Sequence, residues 1–160
     1  MKFFANSTEP LTPISIKNNG KIYWTLYDVM ETDSLLHNGK NILYFLTKKD
    51  MELFCEKNAL KTDNDIWEYD FDIPFQNPID YSNLLNHWNL LNTIATQLKM
   101  YFEGDRKKYN TLYDLLFRLC TPLDPIPPIY TVSEKHFGYI LKVFRKKNRF
   151  FNRFALYQEQ

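Results

Sequence analysis

Apolar residues recur at intervals of three and four positions between residues 80 and 102, a spacing that predicts one long amphipathic helix. The apolar stripe contains Leu84, Trp88, Leu91, Ala95, Leu98 and Phe102. Asp80 is the expected N-cap, because a carboxylate there can accept a hydrogen bond from the amides of the first turn. The opposite face is polar, so we expect the apolar stripe to form the centre of the core.

The N-terminal part of the chain shows the pattern of a strand pair. Residues 14–16 and 21–27 are rich in β-forming side chains, and they flank Asn19-Gly20. This dipeptide tolerates the positive φ angles of a tight hairpin turn. We therefore predict a β-hairpin as the first element of the fold.

The next segment changes from a strand pattern to a helix pattern. Residues 41–46 form a short apolar run, which predicts a strand covered on both faces. Thr47 and Asp50 form a weak variant of the capping box, so a short helix should run from residue 48 to about residue 57. A tight step from strand to helix of this kind occurs in many mixed α and β folds.

Residues 66–73 alternate strictly between apolar and acidic side chains, which predicts a half-buried strand. One side of this strand carries Glu68, Asp70 and Asp72. The other side carries Trp67, Tyr69, Phe71 and Ile73. Because unpaired buried carboxylates are costly, we expect the strand at a sheet edge with its acidic side toward solvent.

The C-terminal third combines two helical patterns with a proline-rich segment. Residues 109–119 predict a helix, residues 121–130 predict an extended loop, and residues 133–154 predict a final amphipathic helix. Thr131 and Glu134 form a capping-box pair near the start of that last helix, and Ser133 is the alternative N-cap.

These elements predict an α+β fold, with a small, mostly antiparallel sheet from the N-terminal half packed against three or four helices. The chain has 160 residues, of which 44% are hydrophobic, and this is enough for a self-sufficient core. We therefore expect residues 1–160 to form a single domain. The longest uninterrupted apolar run, residues 42–46, is too short to span a bilayer, so no membrane partner is expected.

Charge is distributed unevenly, although the formal net charge is only +1. Residues 62–98 carry 6 acidic and no lysine or arginine side chains, whereas residues 99–160 carry 12 basic and 6 acidic ones. Either the two blocks neutralise each other in the fold, or one of them attracts a partner of opposite charge.

No catalytic motif accompanies these patterns. Cys55 and Cys120 have neither disulfide nor zinc spacing, so free thiols in a reducing cytoplasm are the default interpretation. His37, His87 and His136 form no metal-ligand pair at helical spacing. We therefore expect a cytoplasmic protein with no enzymatic activity, no cofactor and no metal.

One stretch of the chain resembles a known class of proteins. Residues 80–92 contain the pattern leucine-leucine-x-x-tryptophan-asparagine, and residues 109–117 form a tyrosine- and leucine-rich segment that ends in Leu-Phe. Together with the strand–helix unit before them and the proline loop and helix after them, they resemble bacterial immunity proteins of polymorphic-toxin and contact-dependent growth inhibition systems. The resemblance implies a protein that binds and neutralises a cognate toxin domain, often a nuclease, by occluding its active site or an essential surface.

The acidic strand and the loop before it supply the candidate binding residues. A nuclease active site is cationic because it must hold phosphates, so a carboxylate surface would be attracted to it. The candidates are Asp63, Asp65, Glu68, Asp70 and Asp72, with Trp67 and Tyr69 as aromatic anchors. This assignment is an inference from charge, and a core position is the competing interpretation for both rings.

The basic C-terminal helix supports an alternative function. Its lysines and arginines alternate with Phe144, Phe150 and Phe151, and such a pattern can contact phosphates and stack on bases. The protein would then be a nucleic-acid-binding accessory protein. The competing interpretation is a surface helix whose aromatic side lies in the core, and the net charge of only +1 favours it.

Overall fold

The computed structural model of the protein describes residues 2–5, 8–72, 80–120 and 134–159. Its first element is the predicted hairpin, in which β1 (Thr12–Asn18) pairs antiparallel with β2 (Lys21–Asp28). Asn19 and Gly20 have φ angles of 53° and 75°. Positive φ at both central residues is the requirement of a type I′ turn, so the Asn-Gly signal is confirmed.

The predicted strand-to-helix step follows the hairpin. After β3 (Ser34–Leu35), the chain forms β4 (Ile42–Tyr44) and then α1 (Lys48–Lys57). All three residues of β4 are buried, which confirms a strand covered on both faces. Thr47 caps α1 because its hydroxyl accepts a hydrogen bond of 3.0 Å from the backbone amide of Asp50.

The predicted acidic strand lies at the edge of a four-stranded sheet. β5 (Trp67–Asp70) completes the strand order β3-β2-β1-β5, and no described strand pairs with its outer side. Its pairing with β1 is parallel, which places Glu68 opposite Ser15. The other two pairings of this sheet are antiparallel, so the prediction of a mostly antiparallel sheet holds here.

The long helix begins where the sequence predicts. The carboxylate of Asp80 accepts a hydrogen bond of 3.0 Å from the amide of Asn83 and caps α2 (Tyr81–Leu98). Near the other end, the Gln97 side chain donates to and accepts from the backbone of Leu35, with both distances 2.8 Å. This amide joins α2 to the short outer strand of the sheet.

The helix ends earlier than the hydrophobic pattern predicts. Lys99 adopts a left-handed conformation with φ 55°, and the amide of Met100 bonds to the carbonyl of Ala95 at 2.8 Å. This left-handed residue and the hydrogen bond after it satisfy a carbonyl of the last turn and stop the helix at Leu98. Phe102 is still buried, but it reaches the core from the turn that follows, so its assignment to the helix is wrong.

The second predicted helix is confirmed as α3 (Asn110–Cys120), which buries Leu112 and Leu116. The predicted proline loop at residues 121–130 lies outside the described residues. The same is true of Thr131 in the predicted capping box and of the alternative N-cap Ser133.

The prediction of one continuous terminal helix is wrong. The chain instead forms α4 (Glu134–Phe144), a turn, the short α5 (Asn148–Phe151) and then β6 (Phe154–Leu156). In the turn, the amide of Lys147 bonds to the carbonyl of Phe144, three residues back, so the α-helical ladder is broken. β6 pairs parallel with β4, which gives that buried strand a partner on one side.

The four-stranded sheet separates two apolar cores. The larger one, on the α2 side, contains Ile14, Ile16, Tyr23, Tyr69, Leu84, Trp88 and Ile94 among others. The smaller one, beside α1, contains Leu11, Leu26, Leu36, Leu43, Phe45, Met51, Phe54 and Cys55. The fold is therefore α+β, as predicted. In the described part of the chain, no helix has the length and apolarity needed to cross a membrane.

Candidate partner-binding surface

The two aromatic candidates of β5 occupy different environments. Trp67 is 43% exposed and touches the edge of the Tyr27 ring, with centroids 6.4 Å apart. Tyr69 is 8% exposed, its ring packs against His87, and burial raises its pKa to about 12. Trp67 is therefore accessible to a partner, whereas Tyr69 belongs to the core.

At the C-terminal end of β5, Asp72 holds the hairpin turn. Its two carboxylate oxygens accept hydrogen bonds from the backbone amides of Asn19 at 2.6 Å and Gly20 at 2.8 Å. The bond from Gly20 lowers the pKa of Asp72 below its ordinary value; burial opposes this change, and Lys147 adds to it. This carboxylate has a structural role between two elements distant in sequence.

The basic C-terminal segment reaches the same point. The ammonium of Lys147 donates to the backbone carbonyl of Phe71, and burial lowers the pKa of Lys147, with Asp72 and Asp70 opposing. The neighbouring Asn148 side chain accepts a hydrogen bond of 2.8 Å from Asn18 in the hairpin. The acidic and basic blocks therefore meet here through one lysine.

Two further acidic candidates accept hydrogen bonds within the protein. The carboxylate of Asp63 accepts from the hydroxyl of Thr12 at 2.8 Å, and that of Asp70 accepts from the amide of Asp72 at 2.9 Å. The first bond attaches the loop before β5 to β1, and the second closes the turn after β5. Asp63 and Asp70 therefore contribute to the local structure as well as to the charge of the surface.

Asp65 and Glu68 behave differently. Both are exposed, and their carboxylates accept no hydrogen bond from any residue that the structure describes. Together with the exposed Trp67, they form what we call the acidic edge: Asp65, Trp67 and Glu68. Of the seven residues that the sequence proposes, Asp65 and Glu68 have no hydrogen-bonding role among the described residues, and Trp67 is partly exposed while its ring contacts Tyr27.

A groove beside the acidic edge extends the negative surface onto α1. Its volume is about 360 Å³, and the carboxylates of Glu52, Glu56 and Asp63 line it. Among the described residues that line it, Lys48 is the one cation, and its ammonium lies 3.6 Å from the carboxylate of Glu52. Sequence reasoning considered only the buried side of α1 and missed both glutamates, although their spacing of four places them on one exposed face.

The floor of this groove contains a thiol that is unsuited to catalysis. Burial raises the pKa of Cys55 to about 11, with Glu52 adding to the effect, so the reactive thiolate is scarce near neutral pH. Among the described residues, no three His, Cys, Asp or Glu side chains converge to hold a metal ion.

The histidine of the long helix belongs to the core. His87 is 1% exposed, and its ring packs edge-on against Tyr69 at 5.4 Å and Phe71 at 4.7 Å. Its Nδ1 lies 2.7 Å from the carbonyl of Asn83. Burial lowers the pKa of His87, so the neutral ring is favoured in the folded protein. The structure gives it a packing role.

The basic C-terminal segment does not present its aromatic rings to solvent. Phe144, Phe150 and Phe151 are all buried in the larger core, where base stacking is impossible. Lysines and arginines of this segment are still exposed to solvent. One of its arginines, Arg153, also has a structural contact, because it donates a hydrogen bond of 3.2 Å to the backbone carbonyl of Lys40. The interleaved pattern therefore serves packing, as the competing interpretation of the sequence states.

Comparison with known proteins adds a fold relationship. No protein-family model matches the chain, and no curated protein matches it either. The fold is similar to that of the SatS C-terminal domain, whose crystal structure was determined in complex with bromine. The two chains are 16% identical, the match covers 92% of this chain and 94% of the other, and the TM-score is 0.55. At this identity the likeness concerns the fold alone.

Proposed function

We propose that this protein is a cytoplasmic immunity protein that binds a cognate bacterial toxin domain, with a nuclease as the favoured class, and that it catalyses no reaction itself. The observation that carries the proposal is the acidic edge. In the sequence, an exposed tryptophan there lies between Asp65 and Glu68, whose carboxylates accept no hydrogen bond from the described residues. The resemblance of residues 80–92 to immunity proteins supports the same class.

The chemistry of this surface suits a cationic partner. A site that binds phosphates presents lysines, arginines or metal ions, and carboxylates can occupy it in place of the substrate. Glu52 and Glu56 on α1 enlarge the negative field and would raise the association rate through steering. Trp67 offers the rigid aromatic area that often dominates binding energy at an interface.

The direct experiment is co-purification with the product of the gene immediately upstream, followed by binding kinetics at about 50 mM and about 300 mM salt. We expect a stoichiometric complex, loss of the toxin's activity, and slower association at the higher salt. If the upstream gene product did not bind to the protein at either salt concentration, the proposal would be contradicted. Co-purifying nucleic acid with a steep salt dependence would instead support the nucleic-acid-binding alternative.

A charge reversal locates the surface. Asp65→Lys with Glu68→Lys should slow association with the toxin domain by about tenfold or more, because it converts attraction to repulsion. Glu31→Lys with Asp114→Lys changes the net charge equally at exposed positions outside the acidic edge and is the matched control. Equal association rates for the two double variants would show that the acidic edge is not the interface.

A further inference from the structure

α1 borders a second groove, which differs in character from the acidic one. This groove has a volume of about 510 Å³ and lies between α1, the residues after β4 and the C-terminal residues from β6 onward. Its apolar lining consists of Phe45, Leu46, Leu53, Phe54, Leu156 and Tyr157. The surface is therefore an apolar depression at the margin of the smaller core.

Two leucines of this groove are largely exposed to solvent. Leu46 is 58% exposed and Leu53 is 52% exposed, whereas Phe54 beneath them is 5% exposed. The centroid of the Phe54 ring lies 4.7 Å from that of Tyr157, so the floor of the groove is aromatic. Apolar side chains grouped around a preformed depression are typical of docking surfaces.

The rim of the groove is acidic. Asp50, Glu56 and Glu159 line it, and Lys57 is the one lysine among the lining residues. That lysine forms an ion pair with Glu159, whereas Asp50 and Glu56 form no salt bridge with any residue that the structure describes. The groove consequently combines an apolar floor with a net negative border.

The neighbouring strand also has an open side. β6 pairs with β4, and no strand in the described part of the chain pairs with its outer edge. Backbone amides and carbonyls of such an edge can pair with an incoming segment.

From these features we infer that the groove is a docking site for a protein segment carrying an apolar side chain flanked by lysine or arginine. The apolar group would cover Leu46 and Leu53, and the flanking cations would approach Asp50 and Glu56. This site is additional to the acidic edge, because its apolar lining belongs to other residues. Glu56 lines both grooves, so α1 is the ridge between them.

Synthetic peptides of about 12 residues provide the test, with binding to the ¹⁵N-labelled full chain followed by NMR. The first peptide is composed of leucine and lysine, the second replaces every lysine with glutamate, and the third replaces every leucine with serine. We expect the leucine–lysine peptide to bind at least about tenfold more tightly than the others. Its largest amide shifts should fall at Leu46, Leu53 and Leu156.

A matched pair of variants controls for nonspecific attraction. Leu53→Lys should weaken binding of the leucine–lysine peptide by about tenfold or more, because it removes apolar area and adds repulsion. Leu141→Lys makes the same replacement at a leucine on α4 that is 51% exposed, and it should leave binding unchanged. The Asp65→Lys, Glu68→Lys variant should also bind the peptide normally, so that failure here is distinguishable from failure at the acidic edge.

Several results would overturn the inference. These are equal affinity for the glutamate peptide, no effect of Leu53→Lys, or amide shifts confined to the acidic edge. Concentration-dependent self-association that Leu53→Lys abolishes would assign the groove to a second copy of the chain instead.

Discussion

Glu68 and Asp72 are both exposed carboxylates of one acidic segment, yet the protein uses them differently. Asp72 accepts two backbone hydrogen bonds from the turn between β1 and β2. Glu68 accepts none from the described residues and lies on the open edge strand. The comparison shows that a run of acidic residues can contain carboxylates with a structural role and carboxylates that are free to bind a partner. Only the hydrogen bonds seen in the fold distinguish the two kinds.

The opposite side of the same strand extends the comparison. Tyr69 and Phe71 are buried and pack against His87 of α2. β5 is therefore held by its inner side chains, by its pairing with β1 and by the cap that Asp72 forms. Its outer carboxylates are left for solvent or for a partner.

The largest loss of stability should come from a substitution on the buried side of the β5 segment. Phe71→Ala removes a ring that is 4% exposed and should lower the free energy of unfolding by about 3–5 kcal/mol. Trp67→Ala, at a ring that is 43% exposed, should cost clearly less. Urea denaturation of both variants measures the difference, and a similar loss in the two would mean that β5 is not anchored as described.

A pH dependence should follow from His87. Burial lowers its pKa from 6.5 in the folded state, so the unfolded chain binds more protons below about pH 6.5. The free energy of unfolding should therefore fall as the pH drops from 6.5 toward the folded pKa, by at most about 1.4 kcal/mol per pH unit. Denaturation series between pH 7 and pH 5 measure the slope.

His87→Gln should reduce this slope. Because burial also lowers the pKa of His37, some slope should persist in that variant, and His37→Gln provides the comparison. An unchanged slope in His87→Gln would contradict the burial of this ring.

A smaller effect should come from the cap on the hairpin turn. Asp72→Ala removes the acceptor of two backbone amides, and its expected cost is about 1 kcal/mol after allowance for solvent screening. Since the folded pKa of Asp72 is depressed, this stabilisation should be present above about pH 4 and lost as the pH falls through the folded value. The free energy of unfolding of the variant and of the parent protein should be measured at a series of acidic pH values. The parent should lose this stabilisation as the pH falls, whereas the variant should not.

The smallest effect should come from the acidic edge. Glu68→Ala should change the free energy of unfolding by less than about 0.5 kcal/mol, because its carboxylate contacts no described hydrogen-bond donor. Urea unfolding of Glu68→Ala and of Asp72→Ala at the same neutral pH gives the direct comparison. A loss as large as that of Asp72→Ala would assign Glu68 a structural role and weaken its candidacy as a binding residue.

The candidate site was only partly predictable. Alternation in residues 66–73 correctly indicated a half-buried edge strand and its acidic side, although the strand itself is shorter, Trp67–Asp70, and Ile73 lies outside the described residues. It could not distinguish Asp72 from Glu68, because the partners of Asp72 lie more than 50 positions earlier in the chain. It also missed Glu52 and Glu56, which join the surface only because α1 packs beside the loop before β5.

By itself, the sequence determined the features that depend on neighbouring residues. These include the Asn19-Gly20 turn, the caps at Thr47 and Asp80, and the helices that follow them. Each depends on hydrogen bonds or steric preferences within a few residues, so the local pattern is sufficient.

Only the tertiary structure decided the pairings between distant segments. β6 has three residues, too few to show a periodicity, and it forms because β4 offers it a backbone ladder across more than 100 positions. The parallel placement of β5 on β1 and the interruption between α4 and α5 likewise depend on packing that no local pattern encodes. Backbone groups buried by the whole fold must find partners, and the chain between them does not specify which.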